Sequence, residues 1–171
     1  AGRALSSIIT KMIKNQDFPF TVYSILYQAC VCSISEYSSE VFGFEQYDST
    51  FKIHLRVARA FLGLPKNVAS FGLVSEVDWL MPRFQTQIKM IRHFGRIMRT
   101  PKHRLMYRVF MWDRHLNSSG EISTWSNEIK TILYENNLNQ LYDSQQIFPA
   151  KNVVTQLRSS MLLSQQNIIK N

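Results

Sequence analysis

The sequence predicts an all-α fold, a multi-helix bundle without a sheet. Apolar residues recur at spacings of three and four along most of the chain, as they do on one face of an α-helix. No run alternates apolar and polar residues for long enough to predict a strand. The chain has 171 residues, of which 45% are hydrophobic. A chain of this size can bury a core of its own, so it needs no disulfide to fold.

The N-terminal half contains three predicted helices. The first is RALSSIITKMIKN, which the breaker NQDFPF ends. Thr21 is the expected N-cap of a long second helix, TVYSILYQACVCSISEYSSEVF, which a glycine follows. Asp48 or Ser49 is expected to cap the third, DSTFKIHLRVARAFLG, and Gly63 marks its end.

The remaining elements are also predicted to be helical. A short turn, SEVDWL, precedes Pro82, which opens a basic helix at a first-turn position that needs no N–H donor. Thr100 and Pro101 are expected to close that helix. Three more helices follow: KHRLMYRVFMWDRHL, STWSNEIKTILYENN and PAKNVVTQLRSSMLLSQQ. The tail, SQQNIIKN, is expected to fray.

The segment KMIRHFGRIMR is amphipathic, and its polar face carries only positive charge. Lys89, Arg92, Arg96 and Arg99 fall in one arc with His93, because each residue of a helix advances about 100° around the axis. The opposite arc is apolar and predicts a core-facing surface; it contains Met90, Ile91, Phe94, Ile97 and Met98. A solvated helix face usually mixes charges of both signs, so this face calls for another explanation.

The whole excess of positive charge lies near this segment. The net charge is +8, and residues 83–114 hold nine Lys or Arg side chains against one acid, Asp113. A local surplus of this kind indicates a surface for a polyanion or an acidic partner. Arg104 and Arg108 lie one turn apart on the next helix, and they extend this surface if the two helices pack as a hairpin.

Three interpretations of the basic face remain open. It can contact a sugar–phosphate backbone, in which case three or four neutralised phosphates predict a slope of about −3 to −4 for log K against log salt. Its cations can instead pair internally with Glu76, Asp78 or Asp113. It can also dock on an acidic protein partner. A membrane-surface role is disfavoured, because the apolar residues of the same helix are needed in the core.

Little in the sequence indicates catalysis or a cofactor. No phosphate-binding glycine loop, metalloprotease motif or nucleophile elbow is present. Glu36 and Glu40 lie one turn apart, which is typical of a solvated helix face. The histidines have no metal-ligand spacing, so we expect no metal and no cofactor. The tryptophans are embedded in apolar periodicity and are predicted as core anchors, with base stacking as the alternative: Trp79, Trp112 and Trp125.

The two cysteines indicate a reducing compartment. Cys30 and Cys32 point away from each other on a helix, so they cannot form a disulfide, and we interpret them as small buried hydrophobes. No secretory signal is visible, and no run reaches the roughly 18 apolar residues that span a membrane. We therefore expect an intracellular protein, in the cytoplasm or the nucleus.

Several anchors occur in the same order as in a known family. AGRALSSIITKM and YSILYQACVCSISEYSSEVFGF resemble the stretch that follows the palm domain in LINE-type (non-LTR) retrotransposon reverse transcriptases, and RVARAFLGLPKN, VDWLMPR and HRLMYRVFMWDRHL continue the match. Ser33 stands where the family usually has proline, and Phe42 where it has tryptophan. These departures predict a straighter second helix and a smaller core anchor.

The resemblance implies that the chain is the thumb and post-thumb region of an RNA-directed DNA polymerase. A thumb holds the template–primer duplex against the palm, mostly by its backbone, so RNA, DNA or their hybrid and the palm domain are the implied partners. The polymerase aspartates belong to the palm, so we expect no polymerase activity from these residues alone. We expect a thumb-like domain over residues 1–116 and a helical extension over residues 117–171. The other readings are a protein-interaction module with a basic face and a folded remnant without a function.

Overall fold

The computed structural model describes residues 3, 6–7, 10, 19–42, 47–65, 67–68, 70–77, 79–119 and 124–170. Within these ranges the regular elements are all helical, so the predicted all-α fold is confirmed. Most of the first predicted helix lies outside the described residues. The described helices include none that is both long and apolar enough to cross a membrane.

The helices follow one another through short connections. The N-terminal half contains α1 (Phe20–Tyr27), a π-helical turn (Gln28–Cys32), α2 (Ser33–Ser35), α3 (Ser39–Phe42), α4 (Tyr47–Phe61) and α5 (Ser70–Glu76). The C-terminal half contains α6 (Pro82–Arg99), α7 (Leu105–Ser118), α8 (Thr124–Glu135), α9 (Asn139–Ser144) and α10 (Ala150–Lys170). The sequence did not predict α9. Residues 164–170 of the tail that was expected to fray form the end of α10.

The predicted second helix is not continuous. It begins at Phe20 with Pro19 as the N-cap, so Thr21 is not the cap. The π-helical turn directly precedes Ser33, whose hydroxyl donates to the carbonyl of Ala29, so the prediction of one continuous helix is wrong. Ser38, at φ 53°, then turns the chain from α2 into α3.

Two further expectations about this segment are also wrong. Phe42 is 61% exposed, so it is no core anchor. Cys32 is buried as expected, whereas Cys30 is exposed.

The predicted end of α4 is correct, but its predicted start is not. Gly63 has φ 65°, and the amide of Leu64 donates to the carbonyl of Arg59 at 3.0 Å, which is a glycine-terminated helix end. The helix begins at Tyr47, so Asp48 and Ser49 lie in its first turn rather than at the cap. The short helix expected in SEVDWL lies earlier, as α5.

Helix α6 agrees closely with its prediction. Pro82 lies in its first turn after Met81 as N-cap, and Thr100 ends it in an extended conformation. Its apolar arc is buried as predicted, at Met90, Ile91, Phe94, Ile97 and Met98. The core residues of α6, α7, α8, α9 and α10 form one hydrophobic cluster, and those of α1, α4 and α5 form another.

The C-terminal helix lies antiparallel to α6 and shares its core. A Cβ on Gly95 would lie 3.0 Å from the Cβ of Ala150, so the start of α10 packs tightly on the last turns of α6. At the other end the Gln165 side chain accepts from the amide of Met81 and donates to the carbonyl of Trp79. Helix α10 therefore packs against the helices that precede it.

Candidate nucleic-acid interface

Two cations of the basic face of α6 form ion pairs with a neighbouring segment. The Nζ of Lys89 lies 2.6 Å from the Oε2 of Glu36, and a guanidinium nitrogen of Arg96 lies 3.6 Å from the Oε1 of Glu40. Glu36 is buried, so the expectation of a solvated acidic face is wrong for this residue. The basic arc is thus free of acids on its own helix but not in the folded chain.

These acids differ from the internal partners that the sequence suggested. Helix α3, which contains Glu40, packs on α6, and Glu36 lies in the turn between α2 and α3. Both acids therefore lie over the polar face of α6. Asp113 instead accepts a hydrogen bond from the amide of Ser126 in the first turn of α8. Glu76 is exposed, and Asp78 lies outside the described residues.

The other two predicted contact residues on α6, Arg99 and Arg92, differ in whether their side chains are already hydrogen-bonded. Arg99 donates to the carbonyl of Phe148 at 3.1 Å, which joins the end of α6 to the loop before α10. Arg92 is exposed, and it makes no hydrogen bond or ion pair with any residue that the structure describes. His93 is half-buried, and its pKa is lowered by burial and by the adjacent Arg96, so it adds no charge at neutral pH.

The second pair of predicted contacts lies on a different surface. Arg104 and Arg108 are exposed at the start of α7. Phe110 of the same helix packs on Phe94 of α6, with ring centroids 5.4 Å apart. Two residues along a helix correspond to a rotation of about 200°, so Arg108 points away from that contact. These two arginines therefore do not extend the basic arc of α6.

A cleft of about 990 Å³ runs between α1 with its π-helical turn, α6 and α10. Its lining includes four cations, Lys89, Arg92, Lys151 and Arg158. Glu36 is the acid of the lining, and Lys89 pairs with it. We name this region the cationic cleft.

Lys151 and Arg158 are site residues that the sequence analysis missed. They are exposed, and neither side chain makes a hydrogen bond or ion pair within the described ranges. Seven residues apart, they lie on one face of α10, with Val154 and Thr155 between them in the lining. The spacing of seven residues could have indicated a shared helix face. The C-terminal segment holds equal numbers of basic and acidic residues, however, so its net charge did not indicate a basic surface.

The buried titratable groups at the wall of the cleft do not compete with its cations. Burial raises the pKa of the Cys32 thiol to about 12, so it is a protonated thiol at neutral pH. Burial also raises the pKa of Tyr27, whose hydroxyl shares a hydrogen bond of 2.9 Å with the Nδ1 of His54. The pKa of His54 is lowered to about 4 by burial, so this ring is neutral as well. The charge of the cleft is therefore set by its Lys, Arg and Glu side chains.

Comparisons with known proteins add no functional assignment to this geometry. The chain matches no protein-family model, no curated protein sequence and no solved structure.

Proposed function

We propose that this chain binds nucleic-acid backbones without sequence preference and that it is the thumb-like region of a LINE-type reverse transcriptase. The observation that carries the proposal is the unpaired charge of the cationic cleft. Arg92, Lys151 and Arg158 come from two antiparallel helices, line one cleft and have no partner among the described residues. A concave surface with three free cations is suited to a chain of phosphates.

The spacing of these cations fits a phosphate backbone. Lys151 and Arg158 are two helical turns apart, which is about 10 Å along the axis of α10. Phosphates on one strand of a duplex recur about every 3.4 Å along its axis, so this interval spans about three steps. Arg92 approaches from the opposite helix. Up to three phosphates can therefore be neutralised at once, compared with the three or four that the sequence suggested.

Contacts of this type hold a nucleic acid without reading its sequence. Phosphate contacts fix the position of the backbone and carry no base information. A thumb of the proposed family needs this property, because it must hold any template–primer duplex against the palm. The palm would be the second partner, and the catalytic aspartates of the family belong to it. We accordingly assign no polymerase chemistry to the residues of this chain.

The experiment that tests the proposal is a binding titration with a charge-matched control. Fluorescence anisotropy measures the Kd of a labelled RNA–DNA hybrid of about 20 base pairs for the wild type and for two double variants. The first, Arg92→Glu with Arg158→Glu, reverses the cleft. The second, Lys52→Glu with Arg56→Glu, makes the same change of net charge on exposed positions of α4.

The proposal predicts a loss of affinity of at least about tenfold for the cleft variant relative to its control, since only the cleft contacts phosphates. Unlabelled hybrids of unrelated sequence should displace the label equally well. Equal losses in both double variants would mean that net charge, not the cleft, drives binding. Strong preference for one sequence would contradict the lack of base readout. If the chain binds an acidic protein instead, excess unlabelled hybrid should fail to displace that protein.

A further inference from the structure

The outer face of α7 is apolar although it faces solvent. Leu105, Val109 and Trp112 are 74%, 52% and 63% exposed, and they lie at positions i, i+4 and i+7 of one helix. Met106 lies beside them and is 40% exposed. An exposed helix face normally carries polar side chains, and a contiguous apolar stripe of this kind marks an interaction surface.

The opposite face of α7 is buried and packs against other helices of the bundle. Phe110 packs against Phe94 and Trp125, with centroid distances of 5.4 and 6.0 Å. Arg114 lies over the ring of Tyr142 at 5.1 Å. The stripe on the other side therefore has no role in the core of the described bundle. This also corrects the expectation that Trp112 anchors the core.

The surroundings of the stripe are cationic. Three exposed cationic side chains lie on α7 or just before it: Lys102, Arg104 and Arg108. Asp113, the acid of α7, is half-buried and points toward α8, where its carboxylate accepts a hydrogen bond of 3.0 Å from the amide of Ser126. The rim therefore complements negative charge.

We propose that the outer face of α7 docks an amphipathic helix with acidic flanks from a partner protein. Side chains of a partner helix at spacings of three and four would contact Leu105, Val109 and Trp112, and its carboxylates would face Arg104 and Arg108. This is a second site, on a helix that contributes no residue to the cationic cleft. It does not depend on the nucleic-acid proposal.

The chemistry of the stripe favours a helix over other occupants. Base stacking needs aromatic faces, and the stripe offers a single aromatic ring among aliphatic side chains. In a symmetric dimer each surface patch meets its own copy, so the basic rims of two copies would repel each other. A helix with an apolar face and acidic flanks satisfies the stripe and the rim together.

A designed peptide tests the proposal directly. The probe is a labelled amphipathic helix of about three heptads with leucines on one face and glutamates beside them. The control peptide replaces every glutamate with lysine. Anisotropy titrations are made with the wild type and with Trp112→Ser and Arg108→Glu. Leu163→Ser and Lys52→Glu are the matched controls, because they remove an exposed apolar side chain and reverse an exposed charge elsewhere.

The acidic peptide should bind and the basic one should not. Trp112→Ser should weaken binding by about 30-fold, as is usual for a tryptophan at the centre of an interface. Arg108→Glu should weaken it severalfold, and the two control variants should behave as the wild type. Circular dichroism should be unchanged throughout, because all four positions are exposed.

Other outcomes would overturn the proposal. The absence of binding by the acidic peptide, or equal binding of both peptides, would do so. Single-stranded RNA that binds in a Trp112-dependent manner would identify a stacking surface instead. Anionic vesicles captured by the wild type but not by Trp112→Ser would identify a lipid surface. A wild-type dimer that Trp112→Ser converts to a monomer would identify a second copy as the occupant.

Discussion

Replacing Glu36 with glutamine should weaken the fold and strengthen nucleic-acid binding at the same time. Glu36 is 6% exposed, and its Oε2 lies 2.6 Å from the Nζ of Lys89, whose side chain is 35% exposed. Both residues line the cationic cleft. Glutamine keeps the shape of the side chain and its acceptor oxygen but removes the charge. Lys89 is then held less strongly and is more available to contact a phosphate.

The two effects have estimable sizes. The Lys89 ammonium bonds a carboxylate more strongly than a neutral amide oxygen, by roughly 1 kcal/mol, so Glu36→Gln should lower the free energy of unfolding by about 1 kcal/mol. In the cleft, a carboxylate about 8 Å from a bound phosphate repels it by about 1 kcal/mol at an effective dielectric constant of about 40. Its loss should tighten binding about fivefold. One additional phosphate contact should steepen the salt slope by about 0.7–0.9.

Urea denaturation and anisotropy titrations at several salt concentrations measure both effects. Glu135→Gln, which removes an exposed carboxylate at the end of α8, is the matched control and should change neither quantity. Tighter binding with a steeper salt slope is the expected result for Glu36→Gln. Unchanged or weaker binding would refute the assignment of the cleft, and unchanged stability would refute the ion pair.

Three further predictions concern the scaffold. Gly95→Val should lower the free energy of unfolding by about 2 kcal/mol in urea titrations, since even a Cβ at this position lies 3.0 Å from the Cβ of Ala150. Burial lowers the pKa of His54 to about 4. Between about pH 6.5 and pH 4 the unfolded state therefore binds a proton that the folded state does not bind, so stability falls as the pH drops through this range. This group can contribute up to about 3 kcal/mol to that loss, and a His54→Gln variant should show a flatter dependence in urea titrations over this range. Asp113→Ala should lower the free energy of unfolding by about 1 kcal/mol and lower the melting temperature, because the amide of Ser126 loses its acceptor. For each of the three variants, a measured stability or pH dependence equal to that of the wild type would contradict the stated cause.

Local physics explains why much of the fold was predictable. The apolar arc of α6, the first-turn position of Pro82 and the end of α4 at Gly63 depend on helical periodicity and on backbone preferences of single residues. These properties are present in any window of about a dozen residues. The π-helical turn before Ser33 is different, because no local sequence rule marks it.

The candidate site could be predicted only in part, since long-range packing determines which cations stay free. Glu36 is 53 positions from Lys89 along the chain, so no local sequence pattern predicts their ion pair. Lys151 and Arg158 lie in a segment without excess charge, and only the antiparallel packing of α10 on α6 brings them beside Arg92.

Trp112 illustrates another limit of sequence reasoning. Helix α7 carries apolar residues on both of its faces, and sequence alone does not determine which face enters the core. The structure buries Phe110 and leaves Trp112 63% exposed. Tertiary packing therefore overrode the expectation drawn from periodicity.

The salt dependence of binding tests the central claim most directly. Affinity for an RNA–DNA hybrid is measured across a range of salt concentrations for the wild type and for a variant that combines Arg92→Ala, Lys151→Ala and Arg158→Ala. Three phosphate contacts predict a slope of about −2 to −3 for log K against log salt in the wild type, and a slope near zero in the variant. A variant that keeps the wild-type slope would show that the cationic cleft does not bind the backbone.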